Sequence, residues 1–222
     1  MISDKKSSPF DDLAERYDRW FTKEGKIIYA IELLAFKSIV QQLPRPWLEI
    51  GVGSGRFAQA LGIPTGIDPS TKLLKMAKNR GINVQYGKGE DKIFPKSSFG
   101  TIFLIVTLCF LSSPKKTFTE IHRILHPDGK VVIGLVTLES AWGQLYEKQK
   151  RKGHPFYSYA NFFTYDEILE ILRETGFIID KTTLTLFQKP NNVVNIEYPR
   201  EGYHSDAGFT IIVAKKQNLT KS

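Results

Sequence analysis

The sequence predicts an α/β fold: a seven-stranded, mostly parallel sheet with helices on both faces and an antiparallel edge strand. Three observations carry that expectation. Short apolar runs alternate with helical segments from residue 47 to residue 136, as βαβ units require. The fourth run, "FGTIFLIVTL", is apolar throughout, as a central strand covered on both faces must be. Two β-rich segments, "FIIDKTTLTLF" and "GFTIIVAKK", come late and are joined by a long polar loop, so they can pair antiparallel at the sheet edge.

The elements follow in order. "FDDLAERYDRWF" and "GKIIYAIELLAFKSIVQQL" read as two helices, the second with Ile27, Ile31, Leu34 and Ile39 on its apolar face and Pro44 and Pro46 ending it. "WLEI" is a short buried strand, followed by a helix at "GRFAQAL" and a second strand at "PTGID". "PSTKLLKMAKNRG" is a helix opened by Pro69 and Ser70 and closed by Gly81. "INVQYG" is the third strand. In "SPKKTFTEIHRILHPDG", Ser113 fits the N-cap and Pro114 the first turn. Phe118, Ile121, Ile124 and Leu125 form one face, and Pro127 and Gly129 end the helix. "KVVIGLV" is the fifth strand. After residue 138 the pattern changes: "ESAWGQLYEKQKRKGHPFYSYANFF" is aromatic, basic and not cleanly periodic. "TYDEILEILRETG" returns to a helix with Thr164 or Asp166 near its cap. No repeat or low-complexity linker interrupts the chain. The expected organisation is one domain over 1–222, with an N-terminal helical segment at 1–43 and a substrate-side lid insert at 139–163.

Composition narrows the function class. The 222 residues are 41% hydrophobic and 24% charged, which suits a packed core. A single cysteine, Cys109, cannot form an internal disulfide and suits a reducing compartment. The apolar stretch "TIFLIVTLCFL" is far short of the ~20 residues of a membrane helix, and "MISDKKSSPFDD" has no leader-type apolar core. A cytoplasmic protein with no membrane span is expected. The net charge is +8, but the basic residues are scattered. Only "KQKRK", residues 148–152, is a tight run, and the last basic stretch ends the chain, where fraying is expected. Scattered charge reads as solvated surface and leaves a nucleic-acid partner as a secondary reading.

The chemistry is concentrated in "LEIGVGSGRF", residues 48–57. Glu49, Gly51, Gly53 and Gly55 occupy the first strand-to-helix turn, where ligands of open α/β sheets bind and where bare main chain lets them approach. A dinucleotide fingerprint would place a glycine where Arg56 stands, and no lysine follows in P-loop fashion. Asp68 ends the second strand, where a carboxylate can accept from the ribose hydroxyls of an adenosine. After the third strand, Glu90 or Asp91 can accept from an adenine amino group, with Ile93 or Phe94 near the ring. Singly, each acid reads as surface. At the ends of successive strands they describe one ligand lying across the sheet edge.

With these residues in place, the sequence resembles the class I S-adenosylmethionine-dependent methyltransferases, within them the broad "type 11" group that includes the ubiquinone/menaquinone biosynthesis enzymes. "YDRWF", "LEIGVGSGRF", "GIDPS", "GEDKIFPKSSFGTIFLIVTLCFL" and "EIHRILHPDGKVVIGLV" carry the resemblance, over residues 10–138. It implies a Rossmann-like sheet and S-adenosyl-L-methionine as cofactor. Glu49 and the glycine turn would hold the methionine part, Asp68 the ribose, and Glu90 and Asp91 the adenine. Thr107 and Leu108 would sit near the sulfonium. Tyr17 would close over the cofactor from the N-terminal helix, with helix packing as its alternative role. Many members have an aspartate where Gly100 stands and a histidine pair near Cys109 and Phe110, so no catalytic base carries over.

Methyl transfer from a sulfonium is a direct displacement, in which the protein mainly aligns the reactants and keeps water out. A fixed base is therefore dispensable, and the candidates for one are scattered: Tyr17, His154, Tyr157 beside Tyr159, and His204. His122 and His126 read as helix surface and helix terminus. "TLCFLSSP" lacks the Asn/Asp-Pro-Pro-aromatic run of amino-methylating enzymes, and Cys109 is in no Pro-Cys pair, which points to an inert buried thiol. The expected acceptor is a small molecule with a nitrogen, oxygen or carbon nucleophile. An RNA methyltransferase and a non-catalytic cofactor-binding protein are the alternatives. No metal site is expected.

Overall fold

The computed structural model describes residues 9–217; the leading segment through Ser8 and the tail from Asn218, read above for a leader and for basic charge, lie outside them. Helices α1 (Pro9–Trp20) and α2 (Lys26–Lys37) precede β1 (Trp47–Ile50). The alternation continues through α3 (Arg56–Leu61), β2 (Thr65–Asp68), α4 (Thr71–Asn79), β3 (Asn83–Tyr86), β4 (Phe99–Ile105), α5 (Pro114–Ile124) and β5 (Leu125–Leu135). The last part holds α6 (Ala141–Arg151), α7 (Tyr165–Glu174), β6 (Phe177–Thr185), β7 (Arg200–Glu201) and β8 (Phe209–Lys216).

The sheet runs β3-β2-β1-β4-β5-β8-β6-β7. Strands β1 to β5 pair in parallel, and β8 lies antiparallel to both β5 and β6. The antiparallel pairing of the two late segments is thus present, with β8 interior and β7 as the antiparallel edge strand. The sheet has eight strands, not seven, because Arg200 and Glu201 of the long polar loop fold back onto Leu184 and Thr183. The chain leaves β1 toward β2 on one side and returns to β4 on the other. The crevice between the carboxyl ends of β1 and β4 is therefore the topological switch point, where the site forms.

Alternation in the central strands builds two cores. Trp47, Phe103, Val132 and Val213 face α2 and α3, with Phe36 and Phe57. Leu48, Ile102, Leu104, Ile133 and Ile212 face α5 and α7, with Phe118, Ile121, Ile168 and Leu172. All seven residues of β4 are buried, which explains its unbroken apolar sequence.

Several boundaries differ from the sequence expectation. Helix α2 stops at Lys37, well ahead of Pro44, because the Ser38 hydroxyl donates back to the Ala35 carbonyl at 2.7 Å and a separate 3-10 turn follows at Val40–Gln42. Helix α5 ends at Ile124, and its N-cap Ser113 makes no side-chain cap bond. Leu125 is already extended and fully buried opposite Phe99, so His126 belongs to a strand, not a helix end. His122 is half-buried, edge-on to Phe177 at 5.4 Å, rather than on open surface. The poorly periodic insert contains α6, which buries only Trp142 and Gly143; so narrow a buried face leaves little period to read. Thr164, not Asp166, caps α7, in a reciprocal pair with Glu167.

Candidate cofactor and active site

The glycine turn is shaped by main chain and held by one acid. Gly51, Gly53 and Gly55 take φ of 74°, 52° and 82°, a region closed to most side chains. The amides of Gly51 and Val52 donate to the Ile67 carbonyl at 2.8 and 3.0 Å. Asp68, at the end of β2, accepts from the Gly53 amide at 2.9 Å and the Ser70 amide at 2.7 Å. The Ser70 hydroxyl caps α4, accepting from the Leu73 amide at 3.2 Å, and donates to Asp11 of α1 at 2.6 Å. One carboxylate therefore ties the turn to β2 and to the start of α4. A carboxylate offers about four acceptor positions, so Asp68 keeps capacity for a ligand's hydroxyls.

Above this floor is a cavity of about 350 Å³, within the range that small-molecule sites occupy. Ile50, Gly51, Gly53, Asp68 and Thr107 line its base from the strand ends. Glu90, Tyr86 and Gly87 line it after β3. Phe10 and Tyr17 close it from α1, and Tyr159 reaches it from the insert. Helix α1 is pinned there by Asp18, which pairs with Arg56 at 2.7 Å and Arg80 at 2.9 Å. Burial opposes ionisation of Asp18, but the hydrogen bonds from the two guanidinium groups outweigh it and hold the carboxyl at about 2.

The structure brings together part of the expected set. Gly51, Gly53, Asp68, Glu90, Thr107 and Tyr17 all line the cavity. Glu49 lies just beneath it, 2% exposed. Asp91 turns away: its carboxylate accepts from the Lys88 amide at 2.8 Å, closing its own loop. Gly55 is not in the lining either. A Cβ there would stand 3.0 Å from the Cα and Cβ of Ala77, so this glycine lets α3 and α4 approach each other. Leu108 is 1% exposed in the core beside α5 and leaves the wall to Thr107. His204 is exposed next to Asp206, outside the lining. His154 and Tyr157 stack on each other at 4.4 Å, also outside it, while their neighbour Tyr159 reaches in. Cys109 follows β4 in a 3-10 turn, half-buried; burial pushes its thiol up to about 12, so it is unreactive at neutral pH. Gly100 has the Pro44 and Arg45 carbonyls 2.6 Å from where a Cβ would stand, so no carboxylate can be housed there.

Sequence reasoning missed Phe10, Tyr86, Val106 and Phe110 of the lining, and of the aromatic insert it named, Tyr159 is the residue that reaches it. Aromatics on helices and loops read as packing, and nothing local marks them otherwise. Val106 takes φ of 53°, rare for a β-branched residue, and its amide donates to the Gly134 carbonyl at 2.8 Å.

Charge is arranged asymmetrically. Burial pushes Asp68 up to about 6, against the lowering effect of its two amide donors. Burial, and then the neighbouring Asp68, push Glu49 well above the usual carboxylate range, and its Oε2 is enclosed without a hydrogen-bond partner. Burial first, then the charges of Asp68 and Glu49, push the Tyr17 phenol up, so it stays neutral. An enclosed carboxyl oxygen with no donor is what an ammonium group satisfies. A carboxylate at the strand end suits a ribose, and bare main chain suits a close-lying ligand. The residues therefore fit an adenosyl amino acid.

A glycine-floored crevice at the switch point of a Rossmann-like sheet, with an antiparallel strand inserted next to β5, defines an S-adenosylmethionine-dependent methyltransferase. Residues 48–133 match the model of a methyltransferase domain family. The chain is 41% identical over 208 residues to an uncharacterized protein of Methanocaldococcus jannaschii, covering 93% of this chain and 98% of the relative. It is 36% identical to a Mycobacterium tuberculosis protein, also uncharacterized, over 92% of this chain and 72% of that one. Among solved structures, it is similar to a SAM-dependent methyltransferase of Thermotoga maritima named a possible histamine N-methyltransferase. The TM-score is 0.87 and the identity 36%, over 94% of this chain and 98% of that chain. The chain belongs to the S-adenosylmethionine-dependent methyltransferase family, and its cofactor is S-adenosylmethionine. Among the described residues, no helix is long and apolar enough to cross a membrane.

Proposed function

We propose that this protein transfers a methyl group by direct displacement to a nitrogen, oxygen or carbon nucleophile of a small molecule, and that residues 139–163 act as a lid on the acceptor side of a single domain. The observation that supports it most is the cover over the glycine turn: α1 and the insert bring Phe10, Tyr17 and Tyr159 to it, leaving a cavity of small-molecule size. When bound, S-adenosylmethionine supplies a methyl group activated on a sulfonium. Asp68 would hold the ribose hydroxyls, Gly51 and Gly53 the methionyl part against main chain, and Glu49 its ammonium end. Glu90 would face the adenine, while Ile93 and Phe94, expected near the ring, pack against the core beneath and are outside the lining. Thr107 would stand near the reacting carbon, and its hydroxyl is already held by the Ile105 carbonyl at 3.0 Å. Tyr17, neutral and packed edge-on to Phe10 at 5.9 Å and Phe21 at 5.2 Å, excludes water from this end.

Nitrogen is the nucleophile favoured by the name of the Thermotoga relative. The basic run at 148–152 does not support an RNA acceptor. Lys148, Lys150 and Arg151 occupy the last turn of α6, where cations complement the helix end, and Arg151 pairs with Glu147 at 3.2 Å. A methyl-transfer screen over small amines, phenols and RNA tests the reading. Turnover on a small molecule is expected; turnover on RNA alone would overturn it.

A further inference from the structure

Helix α1 carries one pattern twice. Phe10-Asp11 and Tyr17-Asp18 each set a ring beside an acid, seven residues apart. Seven residues are close to two full turns, so the two rings fall on one stripe of α1 and the two acids on the next. Both rings line the cavity. Both acids reach the elements that build its floor. Asp11 accepts from the Ser70 hydroxyl at 2.6 Å and the Lys72 amide at 3.2 Å, and the Ser70 amide is the one that Asp68 holds. Asp18 accepts from Arg56 Nε at 2.8 Å and Nη2 at 2.7 Å, and from Arg80 Nη2 at 2.9 Å.

The second of these clasps holds the glycine turn itself. Arg56 is the first residue of α3, directly after Gly55, and its side chain bonds to Asp18. Arg80 follows α4, and its other arm donates to the Ser54 carbonyl at 2.6 Å, inside the turn. All three side chains are less than a quarter exposed, so water and salt screen these charged bonds only in part. Little else holds α1 down: among its described side chains, Ala14 is the fully buried one. An element held by a few polar contacts rather than by a core can lift while the sheet stays folded. The Tyr17 ring, beside Asp18 in the chain, lies 3.4 Å from where a Gly53 Cβ would stand. Its seat over the turn therefore depends on where the clasp holds α1.

We propose that Asp18 is a positioning residue for methyl transfer: its clasp on Arg56 and Arg80 keeps Tyr17 seated over the glycine turn, and the strength of that clasp sets how long the cofactor stays bound. This rests on the methyl-transfer reading above and adds the residue that retains the cofactor. Asp18 is outside the cavity lining, so it acts through the Tyr17 ring and not on the cofactor itself.

Stopped-flow dissociation of S-adenosylhomocysteine from the full chain tests it, with circular dichroism as the check on folding. Asp18→Asn gives up the charge and should release S-adenosylhomocysteine at least ~10-fold faster, the worth of a charged hydrogen bond. Tyr17→Ala should also speed release. In the double variant the rate should stay within about twofold of Tyr17→Ala alone, because two residues that act through one contact are not additive. A carboxylate that only steadied the fold or the turn would act independently of the ring. Should Asp18→Asn fail to fold, Arg56→Lys, which keeps the charge and gives up the two-pronged geometry, is read in the same way. A release rate within about twofold of the parent, or increases that multiply in the double variant, overturns the proposal. Failure of S-adenosylhomocysteine to bind the parent chain overturns the methyltransferase reading instead.

Discussion

The two sides of the site are made differently. The cofactor side, residues 48–112, is built from main chain: three glycines at positive φ, amides aimed at Ile67 and Asp68, and acids at strand ends. The covering side, α1 and residues 139–163, is built from rings: Phe10, Tyr17, Tyr146, Phe156, Tyr157 and Tyr159. Backbone geometry forces residue type, because only glycine tolerates those turns. A wall of rings can be made from many aromatic and aliphatic residues on irregular segments, so residue type is less constrained there than on the floor.

The largest expected effect breaks the floor. In Gly53→Val, a branched side chain at φ 52° meets the Tyr17 ring, 3.4 Å from the Cβ position. Cofactor affinity should fall more than ~100-fold by calorimetry, equivalent to about 3 kcal/mol, while circular dichroism stays native; unchanged affinity would make the turn purely structural.

Away from the floor, the largest expected effect is on stability. Glu32 has a folded pKa of about 8 against an ordinary 4.5. The native state therefore holds a proton that the unfolded chain has already released between those values. Stability from this group is full below pH 4.5 and is lost as pH rises through about 8. Glu32→Gln, which mimics the protonated acid, should match the parent at pH 4.5. By pH 9 it should be more stable, by on the order of 3 kcal/mol in denaturant titrations. A constant difference across pH would mean that Glu32 ionises alike in the folded and unfolded chains, and a Gln variant less stable than the parent at high pH would place Glu32 in contact with a cation.

Asp68 sharpens the comparison because it serves both the turn and the ligand. Asp68→Ala should weaken cofactor binding by ~1.5–3 kcal/mol. In the parent, affinity should fall as pH drops through about 6, where the carboxyl gains a proton, by up to ~10-fold per pH unit. Asp68→Asn should bind weakly at all pH values and remove that slope.

Gly55 separates floor from ligand. Gly55→Ala should destabilise the fold by ~1–2 kcal/mol through its contact with Ala77 and its φ of 82°. Cofactor affinity of the folded protein should stay within about threefold, since Gly55 is outside the lining. The smallest effect is expected from Tyr159→Ala, 55% exposed in the parent. It should raise KM for the acceptor by roughly fivefold, as lost partial burial predicts, with cofactor Kd unchanged.

Much of the cofactor side was legible in the sequence because its chemistry is positional. Glu49, Gly51, Gly53 and Asp68 sit at offsets that strand ends dictate, and β4 announces its burial by an unbroken apolar run. Asp91 and Leu108 show the limit of such offsets: one residue along a loop or turn, a side chain faces its own backbone or the core instead. The covering side was mostly illegible, because rings on helices and irregular segments carry no positional signal. Glu32 sits among apolar residues on α2, and its burial at 5% exposure is set by tertiary packing rather than by any local pattern. The two-residue β7 was likewise hidden, because Arg200 and Glu201 pair by register with β6 and not by any apolar pattern.

The central claim is that an adenosyl ligand rests on the bare main chain of the glycine turn. A crystal structure of the protein grown with S-adenosylhomocysteine tests it most directly. The ribose hydroxyls should be found on the Asp68 carboxylate, with the homocysteine chain over Gly51 and Gly53 and its ammonium toward Glu49. Electron density for the nucleoside anywhere else, with Tyr17 still packed on Gly53, would contradict the account.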